Sequence, residues 1–591
     1  MRFTPRLSLV VLSILAPVIG HAAAPATPEI MNKVYADYWE DNMRDNPISA
    51  TFNGDNRFND RFGAVTSAQS IAETRQLAEK YLARTAALDP AGLPTEDRIS
   101  YDLLRYQLQE SLEGLKYPSH LLPVNQMSSM HLLLAQLGSG RLAQPFNTVQ
   151  DYDNWLARAA GFSPWVDGAI ADLREGIARG VVLPKALARP ILPQLENLGT
   201  ADLAKNVYMA PVGKFPQSFT AADRARLTAA YTALVRDNLV PAYQRLLVFM
   251  RDTYLPACRD TVGLGDLPGG KEWYAFQARS ATTTDLSPEE IHAIGLREVA
   301  RIRGLFEAAK ERVGFKGTLK EFFTYLNTAP ELRFKNREEM QAAYEGLRAK
   351  VEAKVPALFG RTPRIGFEIR PIEAFREVSA PPAHYFQGLP DGSRPGIFYY
   401  NAYKPETRTR FTTTAYFVHE AVPGHHFENS LSLEQTGLPD FRRFGGTTAY
   451  SEGWGLYSEM LGQEMGLYDD PWQWVGRLSA EIWRACRLVI DTGLHAKGWT
   501  REQSIAYFLE NTPQGEVVAT QEVERYIAIP GQALSYKIGE LKLRELRARA
   551  EKALGAKFDI RAFHDEVLAH GSVPLNVLEA AIDRWIVARS K

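Results

Sequence analysis

Ten consecutive residues, 417 to 426, contain three histidines and a glutamate at a spacing that suits a metal site. They read Phe-Val-His-Glu-Ala-Val-Pro-Gly-His-His, so His419 and Glu420 are followed by His425 and His426. In the common His-Glu-x-x-His pattern, two histidines four apart share one helix face and hold zinc, and the glutamate acts as general base. His419 and Glu420 therefore predict a zinc ligand and the base that takes a proton from an attacking water.

The second half of the motif departs from this pattern, because Pro423 stands where the second histidine is expected. Proline has no N–H for the carbonyl of His419, and its ring clashes with the preceding turn, so a regular helix cannot continue here. We expect a bulge or a break. If it absorbs two residues, His425 becomes the second ligand, and if it absorbs three, His426 does. We favour His425, with the other histidine supporting the site through a neighbouring contact.

A third ligand is expected on a second helix that begins near Thr447 and contains Ser-Glu-Gly-Trp at 451–454. Catalytic zinc takes three protein ligands and keeps one position open for water. Glu452 is the expected third ligand. Glu459, seven residues later and on the same helix face, is expected to contact a ligand or to be structural. The predicted cofactor is Zn²⁺.

Composition is that of a globular protein. The chain has 591 residues, 45% hydrophobic and 23% charged, so it can bury a large core. A net charge of −1 argues against a nucleic-acid partner. Two cysteines, Cys258 and Cys486, permit a disulfide in an oxidising compartment but do not indicate one.

The N-terminus has the pattern of a secretory signal peptide. Arg2 and Arg6 precede an apolar run from Leu7 to Ile19, and small residues follow at 22–24. We expect residues 1–24 to be removed on export across the inner membrane, which favours a periplasmic location. No later stretch is long and apolar enough for a membrane span, so none is expected in the mature chain.

Helical spacing of apolar residues dominates the rest of the chain. Ser287-Pro288-Glu289-Glu290 has the capping pattern that starts a helix, whereas 258–285 is rich in Gly, Pro and Asp and predicts a loop. A long helix or two is expected over 221–256, interrupted at Pro241. The stretches 367–370 and 397–401 predict strands just ahead of the metal motif. We therefore expect one mainly α domain over residues 25–591, with a small minor β-sheet.

Several motifs together resemble one bacterial family. These are His-Glu-x-x-Pro-Gly-His-His at 419–426, Ser-Glu-Gly-Trp at 451–454, Asp-Thr-Gly-Leu-His at 491–495 and Pro-Gly-Gln-Ala-Leu-Ser-Tyr at 530–536. Together with 287–292 and 395–401, they look like the bacterial domain-of-unknown-function 885 family, over roughly residues 28 to 588.

That family is similar to helical zinc peptidases: the Taq-type carboxypeptidases, the thimet-type oligopeptidases and the angiotensin-converting enzymes. The resemblance implies a large helical zinc-peptidase-like fold with a deep central channel. It also implies that Gly424-His425 corresponds to the Gly-His that closes the shorter motif, which favours His425. The implied activity is that of an exported metallopeptidase acting on short peptides. The alternatives are a zinc hydrolase of a non-peptide amide or ester, and a catalytically degenerate peptide-binding protein.

Other polar residues in the matching segments are candidates for stabilising an oxyanion. They are Tyr526, Tyr536, His495 and Lys537. The competing interpretation is that each is a buried residue with a satisfied polar group. Residues 397–401 could form an edge strand that pairs with an extended peptide. The oligomeric state is not indicated.

Overall fold

The computed structural model of the protein describes residues 23–372, 377 and 381–591. All but the last two residues of the expected signal peptide lie outside them. Helix accounts for 69% and strand for 4% of the structure, so the prediction of a mainly α protein with a small sheet is confirmed. No helix in the described part of the chain is long and apolar enough to cross a membrane.

The N-terminal part of the chain is a succession of helices. They are α1 (Pro28–Asp45), α2 (Pro47–Phe52), α3 (Ser67–Ala86), α4 (Thr95–Gly114), α5 (Met130–Gly138), α6 (Val149–Ala160), α7 (Phe162–Arg179), α8 (Lys185–Leu198), α9 (Ala221–Leu234), α10 (Val240–Phe249), α11 (Leu255–Ala257), α12 (Gly270–Thr282), α13 (Pro288–Arg312), α14 (Leu319–Thr328), α15 (Arg337–Glu352) and α16 (Val355–Leu358).

The helices that follow the sheet carry the metal motif. They are α17 (Thr413–Glu420), α18 (His425–Glu434), α19 (Asp440–Arg443), α20 (Thr448–Glu464), α21 (Pro471–Lys497), α22 (Arg501–Asn511), α23 (Glu516–Ala528), α24 (Ser535–Leu554), α25 (Ile560–Ala569) and α26 (Leu575–Ser590).

Local sequence signals explain some of these boundaries and fail for others. The capping pattern at Ser287 is confirmed, because its hydroxyl accepts the N–H of Glu290 at 3.3 Å as α13 begins. The interruption expected at Pro241 is wrong: the widened π turn Val235–Leu239 leads directly into α10. A π turn shifts the hydrogen-bond ladder, so the missing N–H of proline is accommodated without a break. The loop expected over 258–285 is also wrong over α12, where Trp273 is buried.

In chain order, a three-stranded sheet falls between these two groups of helices. It contains β3 (Phe367–Pro371), β4 (Ala383–Phe386) and β5 (Gly396–Tyr400). The short parallel pair β1 (Ala24–Pro25) and β2 (Leu88–Asp89) forms a separate sheet. The order is β3-β5-β4, with β3 parallel and β4 antiparallel to β5. The two predicted strands are confirmed. Since β5 is central, the predicted free edge at 397–401 is wrong, and β4 is the edge strand on that side.

Close helix packing fixes the element that carries Glu452. A Cβ atom added at Gly453 on α20 would lie 2.6 Å from the Cα of Gly539 on α24. The two backbones therefore touch, which only glycine permits at both positions. Cys258 and Cys486 are both buried and free, so the permitted disulfide does not form.

Candidate metal centre

Three side chains converge where α17, α18 and α20 meet. His419, His425 and Glu452 each offer one ligand atom, and these atoms lie within 4.8 Å of one another. The Nε2 atoms of both histidines are 3.4 Å from Oε2 of Glu452. The structure thus brings together three of the residues singled out in the sequence.

The break expected at Pro423 is confirmed. Helix α17 ends at Glu420, α18 begins at His425, and the Val422–Pro423 peptide bond between them is cis. A Cβ atom at Gly424 would lie 1.8 Å from the carbonyl oxygen of His419, so this turn has no room for a side chain. The break brings the ring centroid of His425 to 4.8 Å from the ring centroid of His419, with the two rings packed edge to face.

Two neighbours on α20 orient the imidazole of His419. Its Nδ1 lies 2.9 Å from Oε1 of Glu459, an acceptor, so Nδ1 carries the hydrogen and Nε2 is directed at Glu452. Gly455 provides the space: a Cβ atom there would lie 2.7 to 2.9 Å from three atoms of the ring. Glu459 is in turn 3.5 Å from the guanidinium of Arg484 on α21. Glu459 therefore contacts His419, the residue expected to be the first ligand.

Ser451 orients the imidazole of His425 by connecting it to Glu428. The Ser451 hydroxyl donates to Oε2 of Glu428 at 3.1 Å and lies 3.3 Å from Nδ1 of His425. Because its one hydrogen goes to Glu428, Ser451 accepts from Nδ1–H, and Nε2 of His425 also faces Glu452. Burial is the main cause that raises the pKa of Glu428, to about 7.

The convergence of these atoms fits a cation. Oε2 of Glu452 is buried and has no hydrogen-bond partner in the described part of the chain. Two imidazole lone pairs and a carboxylate oxygen face one another, which is unfavourable unless positive charge lies between them. Two nitrogens and one carboxylate oxygen form a donor set that catalytic zinc uses. The residues present therefore fit zinc.

The pKa values of His419 and Glu452 in the metal-free protein also favour a cation at this position. Burial lowers the pKa of His419, but the carboxylate of Glu452 at 3.4 Å and the hydrogen bond with Glu459 outweigh it and raise that pKa to about 9. Burial raises the pKa of Glu452, yet its close contacts with the two histidines at 3.4 Å hold it well below its usual value. The carboxylates thus attract a positive charge, which a metal ion supplies when it displaces protons.

Glu420, the expected general base, is half-buried at the end of α17. Its Oε2 accepts the main-chain N–H of Tyr385 at 3.0 Å. That N–H therefore points away from β5 and toward the open edge of β4. The base is held beside the edge strand by a residue that sequence reasoning missed.

His426 is not part of the cluster. Its Nδ1 lies 3.1 Å from the hydroxyl of Tyr385 and 3.3 Å from that of Ser430, and its ring packs against Phe367. Burial is the main cause that lowers its pKa, to about 3, so it is neutral. The alternative with His426 as second ligand does not hold, because its side chain faces the sheet. It supports the site indirectly through Tyr385.

Two of the proposed catalytic groups are occupied elsewhere. Nδ1 of His495 accepts the N–H of Leu264 at 2.9 Å, and Nε2 lies 3.0 Å from the carbonyl oxygen of Tyr526. The hydroxyl of Tyr526 donates to Glu522 at 2.7 Å, and Tyr526 is buried. Since both imidazole nitrogens bond to main-chain groups and the hydroxyl donates to a carboxylate, the catalytic roles expected for His495 and Tyr526 are not supported.

Tyr536 and Lys537 lie at the start of α24. The hydroxyl of Tyr536 accepts from Arg525 at 3.1 Å and stays available as a donor. Lys537 is completely buried, with its ammonium 2.8 Å from both Glu481 and Glu540. The ammonium group of Lys537 therefore stabilises the packing of helices. The role expected for Tyr536, donation to an oxyanion, stays a prediction.

Helical spacing could have revealed more of the site. Ser451, Glu452, Gly455 and Glu459 recur at positions that share one face of α20, and all four serve the two histidines. Between them, Trp454 donates its indole N–H to the carbonyl of Pro423 at 2.8 Å. Because glycine and serine side chains are not usual metal ligands, a search by residue type did not single out Gly455 and Ser451.

Comparison with known proteins agrees with the fold. A crystal structure of a presumed lipoprotein from Colwellia psychrerythraea has a TM-score of 0.87 and 29% identity, covering 94% of this chain and 99% of that one. A presumed lipoprotein of unknown function from Shewanella oneidensis has a TM-score of 0.72 at 16% identity, covering 93% and 99%, which shows the fold alone. No curated protein matches the chain.

The family model described as "Bacterial protein of unknown function (DUF885)" matches residues 47–582, a span that includes His419, His425 and Glu452. The chain therefore belongs to the DUF885 family of bacterial proteins.

Proposed function

We propose that the protein is an exported zinc-dependent metallopeptidase that hydrolyses short peptides. The observation that carries this proposal is the buried Oε2 of Glu452, which accepts no hydrogen bond in the described part of the chain and lies 3.4 Å from the Nε2 atoms of His419 and His425. Glu420 follows His419 directly in the sequence, so the proposed base is next to a proposed ligand along the chain. A helical zinc-peptidase-like fold with a deep central channel is part of the same proposal.

Each of the site residues would have a separate role in hydrolysis. His419, His425 and Glu452 would hold zinc, which supplies a water of lowered pKa and polarises the substrate carbonyl. Glu420 would accept the proton of the attacking water and pass it to the leaving amine. Tyr385 holds that carboxylate through its N–H, and Glu459 and Ser451 keep the imidazoles directed inward. The hydroxyl of Tyr536 is the remaining candidate donor to the oxyanion.

The edge strand β4 favours a peptide substrate. No strand in the described part of the chain pairs with its outer edge, where Glu420 accepts the N–H of Tyr385. An extended peptide that adds to an edge strand would run past the base with its carbonyl groups in a regular spacing. A simple ester has no main chain with which to use this edge.

Export is supported by two observations. The N-terminal sequence has the signal-peptide pattern, and the structural neighbours from Colwellia and Shewanella are presumed lipoproteins. We propose a periplasmic location on this basis.

One set of measurements tests the proposal. The purified chain is analysed for bound metal and assayed against a peptide library, with simple esters alongside. We expect one zinc per chain and hydrolysis of peptides. Glu420→Gln should keep zinc and abolish hydrolysis, whereas Glu406→Gln, at an exposed position, should leave both unchanged.

The outcomes separate the alternatives. Turnover by Glu420→Gln at the wild-type rate would refute the mechanism. Hydrolysis of esters without peptides would point to a non-peptide hydrolase. Absence of zinc, with no hydrolysis after zinc is added, would favour a peptide-binding protein without catalysis.

A further inference from the structure

A cavity of about 440 Å³ lies among the first five helices of the chain. Residues of α1 to α5 line it together with the turn 62–64, and none of the expected metal ligands is among them. Its volume is within the ~300–1,000 Å³ of pockets that hold small molecules. It is therefore large enough for a ligand of its own.

Two carboxylates are the only charged groups among the described residues that line this cavity. They belong to Asp45 on α1 and Glu73 on α3. Glu73 accepts one hydrogen bond, from the amide of Gln69 at 2.8 Å, and Oδ1 of Asp45 lies 3.6 Å from Nε of Arg44. Arg44 donates instead to Asp41, at 2.7 Å. Both acidic side chains are half-buried, so a molecule in the cavity can reach their remaining oxygens.

The two carboxylates are close enough to affect each other. Burial raises the pKa of Asp45, Arg44 partly opposes this, and the negative charge of Glu73 adds to it. Like charges that face one cavity are unfavourable, and a positive charge between them removes the repulsion. No basic residue in the described part of the lining supplies that charge.

The remaining lining suits a molecule with an apolar body. Tyr38 also lines the cavity, and its hydroxyl has no hydrogen-bond partner in the described part of the chain. A phenol oxygen can accept a hydrogen from an ammonium group, so it adds a neutral acceptor to the two carboxylates. The apolar wall opposite α1 is formed by Leu77, Leu108, Met130 and Leu133.

We propose that this cavity binds a small organic cation, an ammonium group with an apolar body. The ammonium would donate to Asp45 and Glu73 in charge-assisted hydrogen bonds, and the apolar body would pack against the leucines. The site does not depend on zinc or on the proposed peptidase activity, because none of the expected metal ligands lines it.

Calorimetric titration of the full chain tests the site with 2-phenylethylammonium as the probe and 2-phenylethanol as its neutral counterpart. We expect one equivalent of the ammonium to bind, more tightly than the alcohol. Glu73→Gln keeps the size of the side chain and removes its charge, and should weaken binding of the ammonium about 10- to 100-fold. Asp45→Asn should act in the same direction.

Glu79→Gln is the matched control. Glu79 lies on the same helix, α3, and its replacement changes the net charge equally, but it is exposed and does not line the cavity. It should bind the probe as the wild type does. A cation could also bind at the metal centre, so the titration is repeated with Glu452→Gln, which removes a negative charge there. Unchanged binding in that variant would locate the probe away from the metal ligands.

Four results would overturn the proposal. They are no binding of the ammonium, equal affinity for the alcohol, wild-type affinity in Glu73→Gln, and loss of binding in Glu452→Gln. None of these results bears on whether the chain hydrolyses peptides.

Discussion

Replacing Gly455 by alanine should weaken the proposed zinc binding, although it replaces none of the three expected ligands. The added Cβ atom would lie 2.7 Å from Cε1 of His419 and 2.9 Å from each ring nitrogen. Favourable contacts between heavy atoms begin near ~3.5 Å, so the ring must retreat by roughly 0.7 Å. It is buried and bonded to Glu459, so such a shift misaligns Nε2. Zinc ligands tolerate displacements of only about 0.2 Å.

The expected loss of zinc affinity is about 10- to 100-fold, the range seen when support for a metal ligand is removed. Overpacking should also cost about 1–3 kcal/mol of unfolding free energy, partly offset by the ~1 kcal/mol that alanine gains over glycine within a helix. The assay is competition with a chromogenic chelator, combined with thermal unfolding of the metal-free protein.

Gly304→Ala provides the matched control. Gly304 also lies within a helix, α13, but a Cβ atom there meets nothing within 4 Å. This variant should keep wild-type zinc affinity and gain up to about 1 kcal/mol of stability. If Gly455→Ala bound zinc as tightly as Gly304→Ala does, the argument that α20 positions the imidazole through close contact would be refuted.

Three further changes test other contacts. Ser451→Ala removes the bridge between the second imidazole and its supporting carboxylate, and chelator competition should show zinc affinity lowered about tenfold while Ser451→Thr largely retains it. Trp454→Phe removes the indole donor to the buried carbonyl of Pro423, which keeps the Ser458 hydroxyl at 3.4 Å, and should lower the unfolding free energy by about 0.5–1.5 kcal/mol, measured in urea. His570 is buried, which lowers its pKa, but bonds to Glu566 and Glu96 raise that pKa to about 9. A raised pKa stabilises the fold below the unfolded value of ~6.5, so on the order of 1–2 kcal/mol should be lost between about pH 6.5 and 9, after allowance for solvent screening. His570→Gln should flatten this pH dependence of unfolding, and an unchanged dependence would contradict the assignment.

Features set by local chemistry were predictable from the sequence. Pro423 lacks an amide hydrogen whatever surrounds it, so the break after Glu420 follows from the residue alone. The capping residues at Ser287 act within one helical turn, and they too were found. Helix spacing places Glu452 and Glu459 on one face of α20 before any tertiary contact is known, whereas the convergence of Glu452 with His419 and His425 was expected only from the pattern of known zinc sites.

Features that depend on distant contacts were not predictable. Tyr385 and Glu420 are bonded across 35 positions, and nothing in either segment indicates the other. The segment around Trp273 has the glycines and prolines of a loop, but its aromatic residues are buried by packing and it forms α12. His495 and Tyr526 have residue types suited to catalysis, and only the structure shows that the polar groups of both are engaged elsewhere.

The contact between Gly453 and Gly539 has a consequence for motion. A Cβ atom at Gly539 would lie 1.9 Å from the carbonyl oxygen of Ala449, so α20 and α24 meet backbone to backbone along about one turn of α20. Helices this close have no layer of side chains between them that could slide, so we expect the pair to move as one rigid body. A motion that opens the proposed site should then leave Glu452 fixed relative to α24 and change its distance from Tyr385 on β4.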